Sequence, residues 1–124
     1  MSDLDGLKYI NDNFGHAEGD SAITAVAKAL FKAVPDNSLS TRFGGDEVFS
    51  VIFGACDPDK IMKDIDRCLA EYNLESDKPY GVATSSGYMT AVLDDTFDIA
   101  QAIKIADDQM YKSKSRKYEE RNKN

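Results

Sequence analysis

The stretch TRFGGDEVFSVIF, Thr41 to Phe53, decides how this chain is read. Its β-branched and aromatic residues fall on either side of Gly44-Gly45, which predicts a hairpin with strands over Leu39 to Phe43 and Glu47 to Phe53. Two carboxylates, Asp46 and Glu47, stand at the tip. A turn residue without a Cβ takes positive φ readily and lets a ligand come against the backbone. Taken alone, Gly-Gly-Asp-Glu fits an ordinary exposed turn equally well, so its meaning depends on what the rest of the chain brings beside it.

Working outward, helical periodicity frames the hairpin. Leu7, Ile10 and Phe14 keep helical spacing after Asp5, and Gly15 suits a helix stop. Between Ala17 and Val34 the apolar positions Ala22, Ile23, Val26, Ala27, Leu30, Phe31 and Val34 recur at three and four, and Pro35 ends that helix. Beyond the hairpin, Asp57-Pro58 starts a helix with the buried stripe Ile61, Met62, Ile65, Cys68, Leu69 and Tyr72. A strand is expected over Val82 to Thr90, then a last helix marked by Ile99, Ala102, Ile103, Ala106 and Met110, which runs into a charged tail from Lys112. The order helix, helix, strand, strand, helix, strand, helix is an α+β arrangement. It fits the ferredoxin-like βαββαβ layout, an antiparallel sheet with helices packed on it, if an opening central strand precedes Asp3. Met1-Ser2 reads as the stub of that strand.

Composition narrows the function classes. The 124 residues suit one domain, with 42% hydrophobic and 30% charged residues. A net charge of -7 argues against a broad nucleic-acid or anionic-membrane surface, while a local cationic pocket for a phosphorylated small molecule is compatible with it. No apolar run approaches bilayer length, and the first residues are too polar for a signal peptide. Cys56 and Cys68 have no metal or redox spacing, and the single His16 builds no metal cluster. A cytoplasmic location is the expectation.

Asp3 and Asp5 lie near the start and Asp46 and Glu47 at the hairpin tip, and the two sets meet if the first strand lies beside the hairpin. Such a cluster suits Mg²⁺, a hard cation that takes oxygen ligands and binds through one or two carboxylates plus substrate phosphates. Adjacent acids at a strand start are unfavourable without a counter-ion, which sets Glu47 apart from an ordinary turn acid. Asp5-Gly6-Leu7 opens a helix whose free N–H groups can cradle a phosphate, with Lys8 and Lys114 as cations and Arg42 placed to offset charge in a transition state. Asn11 offers an amide that both donates and accepts, and Asp20 a carboxylate that accepts. By itself Asp20 fits a helix cap as well, and the two lysines fit solvated surface charges.

Three blocks taken together, SDLDGLKYINDNFGHAEGD (Ser2 to Asp20), RFGGDEV (Arg42 to Val48) and ADDQMYKSK (Ala106 to Lys114), resemble the GGDEF domain family, the diguanylate cyclases of bacterial signalling. The resemblance covers nearly the whole chain. It implies a ferredoxin-like nucleotide-cyclase fold that joins two GTP molecules into cyclic di-GMP, each subunit of an antiparallel homodimer presenting one GTP. By the resemblance, Asp3, the Leu4 carbonyl and Asp46 hold Mg²⁺, with Mn²⁺ as a possible substitute. Glu47 helps remove the ribose 3′-hydroxyl proton, and Asn11 and Asp20 read guanine. Leu7, Lys114, Gly44 and Gly45 complete the substrate site, Lys8 and Arg42 assist the chemistry, and an upstream sensor domain is a possible partner.

Departures from the family pattern carry their own expectations. Val48 stands where the signature has Phe, a smaller apolar group in the same packing position. The Arg-x-x-Asp of the inhibitory product site is replaced by Pro35-Asp36-Asn37-Ser38, so product feedback by that route is not expected. Lys117-Tyr118-Glu119 replaces Gly-Arg-Asn, leaving Arg116 or Lys117 as substitutes for the phosphate-binding arginine. Relative to the family, the sequence lacks the leading helix and most of the first strand, and a bare edge favours pairing with another chain. The expectation is a non-standard dimer or rearranged sheet, with weak or no turnover. The alternative to an active cyclase is an impaired domain that binds GTP or a partner.

Overall fold

The computed structural model describes residues 1–42 and 44–122. In chain order its elements are β1 (Ser2–Leu4), α1 (Leu7–Phe14), α2 (His16–Ala33), β2 (Ser38–Arg42), β3 (Glu47–Ile52), α3 (Pro58–Glu75), β4 (Thr84–Ser86) and α4 (Ile99–Asn122). The strands form one antiparallel sheet in the order β2-β3-β1-β4. The α+β reading therefore holds, and each helix and the hairpin lie where periodicity put them. Phe43, expected to end β2, falls outside the described residues.

β1 is the short stub expected, three residues long and paired on both sides, and the sheet is not rearranged around it. Its backbone alternates between two neighbours. The Leu4 N–H donates to the Asp46 carbonyl at 3.0 Å on the β3 side, and the Asp5 N–H donates to the Ala83 carbonyl at 2.8 Å on the β4 side. At the other end the Met1 amino group and the Gly87 N–H each donate to the other residue's carbonyl, at 3.0 and 2.9 Å. β4 ends at Ser86, short of the Thr90 limit expected from the sequence. Beyond that point β3 and the 88–91 segment diverge around an apolar cavity of about 650 Å³.

Because side chains alternate along a strand, β1 sends Leu4 to one face and Asp3 and Asp5 to the other. Leu4, 1% exposed, packs with Ile10, Val26, Leu30, Val48 and Ile65 into the core shared with α1, α2 and α3. Full burial of a side chain of this kind stabilises the fold by about 1.5–3 kcal/mol. On the opposite face α4 settles on β4. The approach there is close enough that a Cβ at Gly87 would lie 2.1 Å from the Ala106 carbonyl oxygen, so no larger residue fits without moving the helix.

Helix ends follow the expected chemistry. The Asp57 carboxylate accepts the Lys60 N–H at 3.2 Å with Pro58 in the first turn of α3, and Asp98 accepts the N–H groups of Ala100 and Gln101 at the start of α4. The charged segment from Lys112, read as a tail, instead continues α4 as helix to Asn122.

Candidate functional site

The antiparallel register places β1 beside the start of β3, with Asp3 opposite Glu47. One ligand oxygen from each of Asp3, Asp46 and Glu47 lies within 4.8 Å of the others. The convergence expected between the start of the chain and the hairpin tip is therefore present, and it includes Glu47 as well as Asp3 and Asp46. Asp3 is 7% exposed, and its Oδ1 is buried with no hydrogen-bond partner.

Lys114 reaches this cluster from α4. Its Nζ donates to Asp3 Oδ2 at 2.8 Å and to the Leu4 carbonyl at 3.5 Å. Burial pushes the Asp3 carboxyl up to about 6, with Asp46 adding to the rise and the bond to Lys114 opposing it. Burial, then the charges of Asp107 and Asp46, also holds Glu47 above the ordinary glutamate value. For Lys114, burial works against the charge, yet Asp3, Asp5 and Asp46 outweigh it and keep the ammonium above its usual range. Hard oxygen donors, an orphaned carboxylate oxygen and an excess of negative charge are a donor set that suits a small divalent cation.

A second rung of the same kind lies one step along. The Lys117 Nζ donates to Asp5 Oδ2 at 2.9 Å and to the Thr84 carbonyl, while Ser85 Oγ donates to Asp5 Oδ1 at 2.8 Å. Lys117 is thus committed to the sheet, which weakens its case as a stand-in for the family's phosphate-binding arginine. Asp5 was read from the sequence as part of the acidic set near the start, whereas Ser85 and Asp107 were not singled out. A signal was there: Asp3 and Asp5 share a strand face, and Lys114 and Lys117 share a helix face at i, i+3.

The remaining expected residues are placed as follows. Asn11 lies on α1 with its amide against α2, where a Cβ at Gly19 would sit 1.9 Å from Asn11 Oδ1. Gly19 is therefore what lets that amide lie on the neighbouring helix, and Asp20 follows it directly. Asp20 lies inside α2, which begins at His16, so the capping alternative fails. Leu7 opens α1 after Gly6, whose φ of 72° and lack of a side-chain cap leave the first-turn N–H groups without a side-chain acceptor. Lys8 is exposed one residue on. No hydrogen bond or ion pair among the described residues links Lys8, Asn11 or Asp20 to the acidic cluster.

At the hairpin tip, Arg42 folds onto the backbone of the turn that follows it. Its Nε and one terminal nitrogen donate to the carbonyls of Gly44 and Gly45 at 3.3 and 2.6 Å. Among the described residues the glycines with positive φ are Gly6, Gly15 and Gly54, so Gly45 does not need its glycine for that conformation. What Gly45 does provide is space, since an added Cβ would meet nothing within 4 Å, while one at Gly44 would come 3.5 Å from Glu47 Oε2.

Comparison with known proteins identifies the family and the fold. Residues 1–120 match the family described as diguanylate cyclase, GGDEF domain. The chain is 34% identical over 116 residues to the probable diguanylate cyclase DgcJ of Escherichia coli K12, an alignment covering 93% of this chain and 22% of that protein. It therefore spans less than a quarter of that relative's length. The diguanylate cyclase SiaD of Pseudomonas aeruginosa, solved in complex with its activator SiaC, superposes with a TM-score of 0.76 at 20% identity, over 92% of this chain and 44% of that one. An active GGEEF domain of a diguanylate cyclase from Vibrio cholerae superposes with a TM-score of 0.75 at 25% identity, over 93% of this chain and 74% of that one. Among the described residues, no helix is long and apolar enough to cross a membrane.

Proposed function

The chain belongs to the GGDEF domain family of diguanylate cyclases, and on that premise we propose that it condenses two GTP molecules into cyclic di-GMP with release of pyrophosphate. The observation that carries this reading is the meeting of Asp3, Asp46 and Glu47 around a buried, unpartnered Asp3 oxygen. Asp3, Asp46 and the Leu4 carbonyl would hold Mg²⁺, or Mn²⁺ in its place. When bound, such an ion neutralises phosphate charge and orients the reacting groups.

The residues divide the work. Glu47, held above its ordinary pKa, is the base that takes the proton from the ribose 3′-hydroxyl. The 3′ oxygen then bonds to the α-phosphorus of the GTP held by a second subunit, the α–β phosphoanhydride bond breaks, and pyrophosphate leaves with the electron pair. The α1 N–H groups and Lys8 face the phosphates, and Asn11 and Asp20 orient guanine. An antiparallel homodimer in the cytoplasm, coupled to an upstream sensor domain, completes the proposal.

Incubation with GTP and Mg²⁺ followed by anion-exchange chromatography should yield cyclic di-GMP. The substitution Glu47→Gln should lower the rate by about 10²- to 10⁴-fold, as loss of a general base does. A second reading, a domain that binds GTP with little turnover, draws on Arg42 and Lys117 both being tied to carbonyls and carboxylates of the protein. It predicts a calorimetric binding signal for GTP with no product.

A further inference from the structure

Lys114 donates to Asp3 Oδ2 and to the Leu4 carbonyl, the two groups that, with Asp46, would ligate the divalent ion. The ammonium therefore stands on metal-ligand atoms in the protein alone. Only one of the two aspartates on this face leaves a ligand atom open. Asp5 accepts from both Ser85 and Lys117 and has no spare oxygen, whereas Asp3 is 93% buried by its 7% exposure and keeps Oδ1 unpartnered beside Asp46 and Glu47.

We propose that Lys114 is the resident cation of this site in the nucleotide-free protein, and that a divalent ion binds by displacing it from Asp3 and Leu4 onto the incoming triphosphate. The inference rests on the metal-site reading above and adds a sequence of events to it. An ion on the Leu4 carbonyl and the Asp3 carboxylate would stand beside an ammonium held by the same two groups, and like charges at that separation repel strongly. Lys114 lies on α4 with its side chain 37% exposed, so it has room to swing outward. Phosphates then accept the ammonium that the carboxylate released. By linkage, metal and nucleotide should each strengthen the other's binding, and the metal alone should bind weakly. Lys117 is the internal control, since its rung has no orphaned oxygen to invite an ion.

The test is Mn²⁺ binding to the full chain, read by the paramagnetic signal of free Mn²⁺, with and without a non-hydrolysable GTP analogue. Lys114→Met should bind Mn²⁺ about tenfold more tightly than the parent without nucleotide, and the analogue should no longer enhance that binding. Equal or weaker binding by the variant would overturn the displacement while leaving the metal site standing. Absence of Mn²⁺ binding in both proteins, with the analogue present, would overturn the metal site and the displacement together. A measurement on the unaltered protein guards against a variant that misfolds: with ¹⁵N-labelled lysine, Mg²⁺ should shift the Lys114 Nζ resonance and leave that of Lys117 in place. Retention of both resonances at saturating Mg²⁺ would contradict the proposal.

Discussion

Two lysine–aspartate rungs join α4 to the centre of the sheet, and they differ in a single respect. In the Lys117–Asp5 rung every carboxylate oxygen has a donor, from Lys117 or Ser85, and the ammonium also binds the Thr84 carbonyl. The Lys114–Asp3 rung has one oxygen left over, and that oxygen is buried next to two more acids. Ion pairs of the same composition, one from Asp3 within β1 and one from Asp5 just past its end, are thus an open coordination site in the first case and a fastener in the second. What separates them is the count of satisfied lone pairs, not the charge.

The largest effect should come from breaking the open rung. Asp3→Asn keeps the shape but removes the charge that Asp46 and Glu47 need beside them to hold a divalent ion. Cyclic di-GMP formation should fall by more than about 100-fold, above the 10- to 100-fold range typical of outer-shell partners of a metal. Thermal stability should change little or rise, because a buried carboxylate with an orphaned oxygen is replaced by a neutral amide. A marked drop in melting temperature with turnover preserved would reverse the roles assigned to the two rungs.

The closed rung should give the opposite pattern. Removing the Asp5 charge leaves Lys117 facing the Thr84 carbonyl without its counter-charge. Loss of one partner from a fully buried pair costs about 3–5 kcal/mol, but Lys117 is 39% exposed, and solvent screening brings the expectation for Asp5→Asn down to about 1–2 kcal/mol. Urea denaturation would measure it, and Mn²⁺ affinity should stay within a few-fold of the parent. A variant as stable as the parent would remove the fastener role.

The smallest effect is a pH slope confined to Asp3. Its carboxyl titrates at about 6 in the folded chain against 3.8 unfolded, so between those values the folded state holds the extra proton. The Asp3 contribution to stability is then greatest below about pH 4 and declines as pH rises to about 6. Metal binding has the reverse sign, since an ion and a proton compete for the same oxygens, and Mn²⁺ affinity should climb through pH 6. Asp3→Asn should flatten this part of the stability curve, and Asp5→Asn should leave it intact.

Much of this architecture is legible in local pattern. The apolar spacing in α2 and α3, the Asp57-Pro58 start and the hairpin flanks each state their element within a few residues. The meeting of Asp3 with Asp46 is not local: it depends on β1 lying beside β3, which the ferredoxin-like layout offered as a condition and the three-block resemblance supported. The 88–90 segment kept a strand pattern but has no ladder partner among the described residues, so pairing overrode propensity. The Lys117–Asp5 rung was missed because a run of lysines, arginines and glutamates reads as a solvated tail. Its alternating aspartates and i, i+3 lysines become meaningful only once α4 is known to cross that face of the sheet. Gly87 and Gly19 were invisible for a related reason, since close approach between elements leaves no mark in the sequence beyond the glycine itself.

The central claim is that the carboxylates of Asp3 and Asp46, with the Leu4 carbonyl, form a divalent-ion site that Lys114 occupies until nucleotide arrives. Anomalous diffraction from crystals of this chain grown with Mn²⁺ and a non-hydrolysable GTP analogue tests it most directly. The account predicts a manganese peak bonded to Asp3, Asp46 and the Leu4 carbonyl, with Lys114 Nζ moved from Asp3 to a phosphate oxygen. A bound nucleotide with no manganese at those oxygens, or a manganese there with Lys114 still on Asp3 Oδ2 and Leu4, would contradict it.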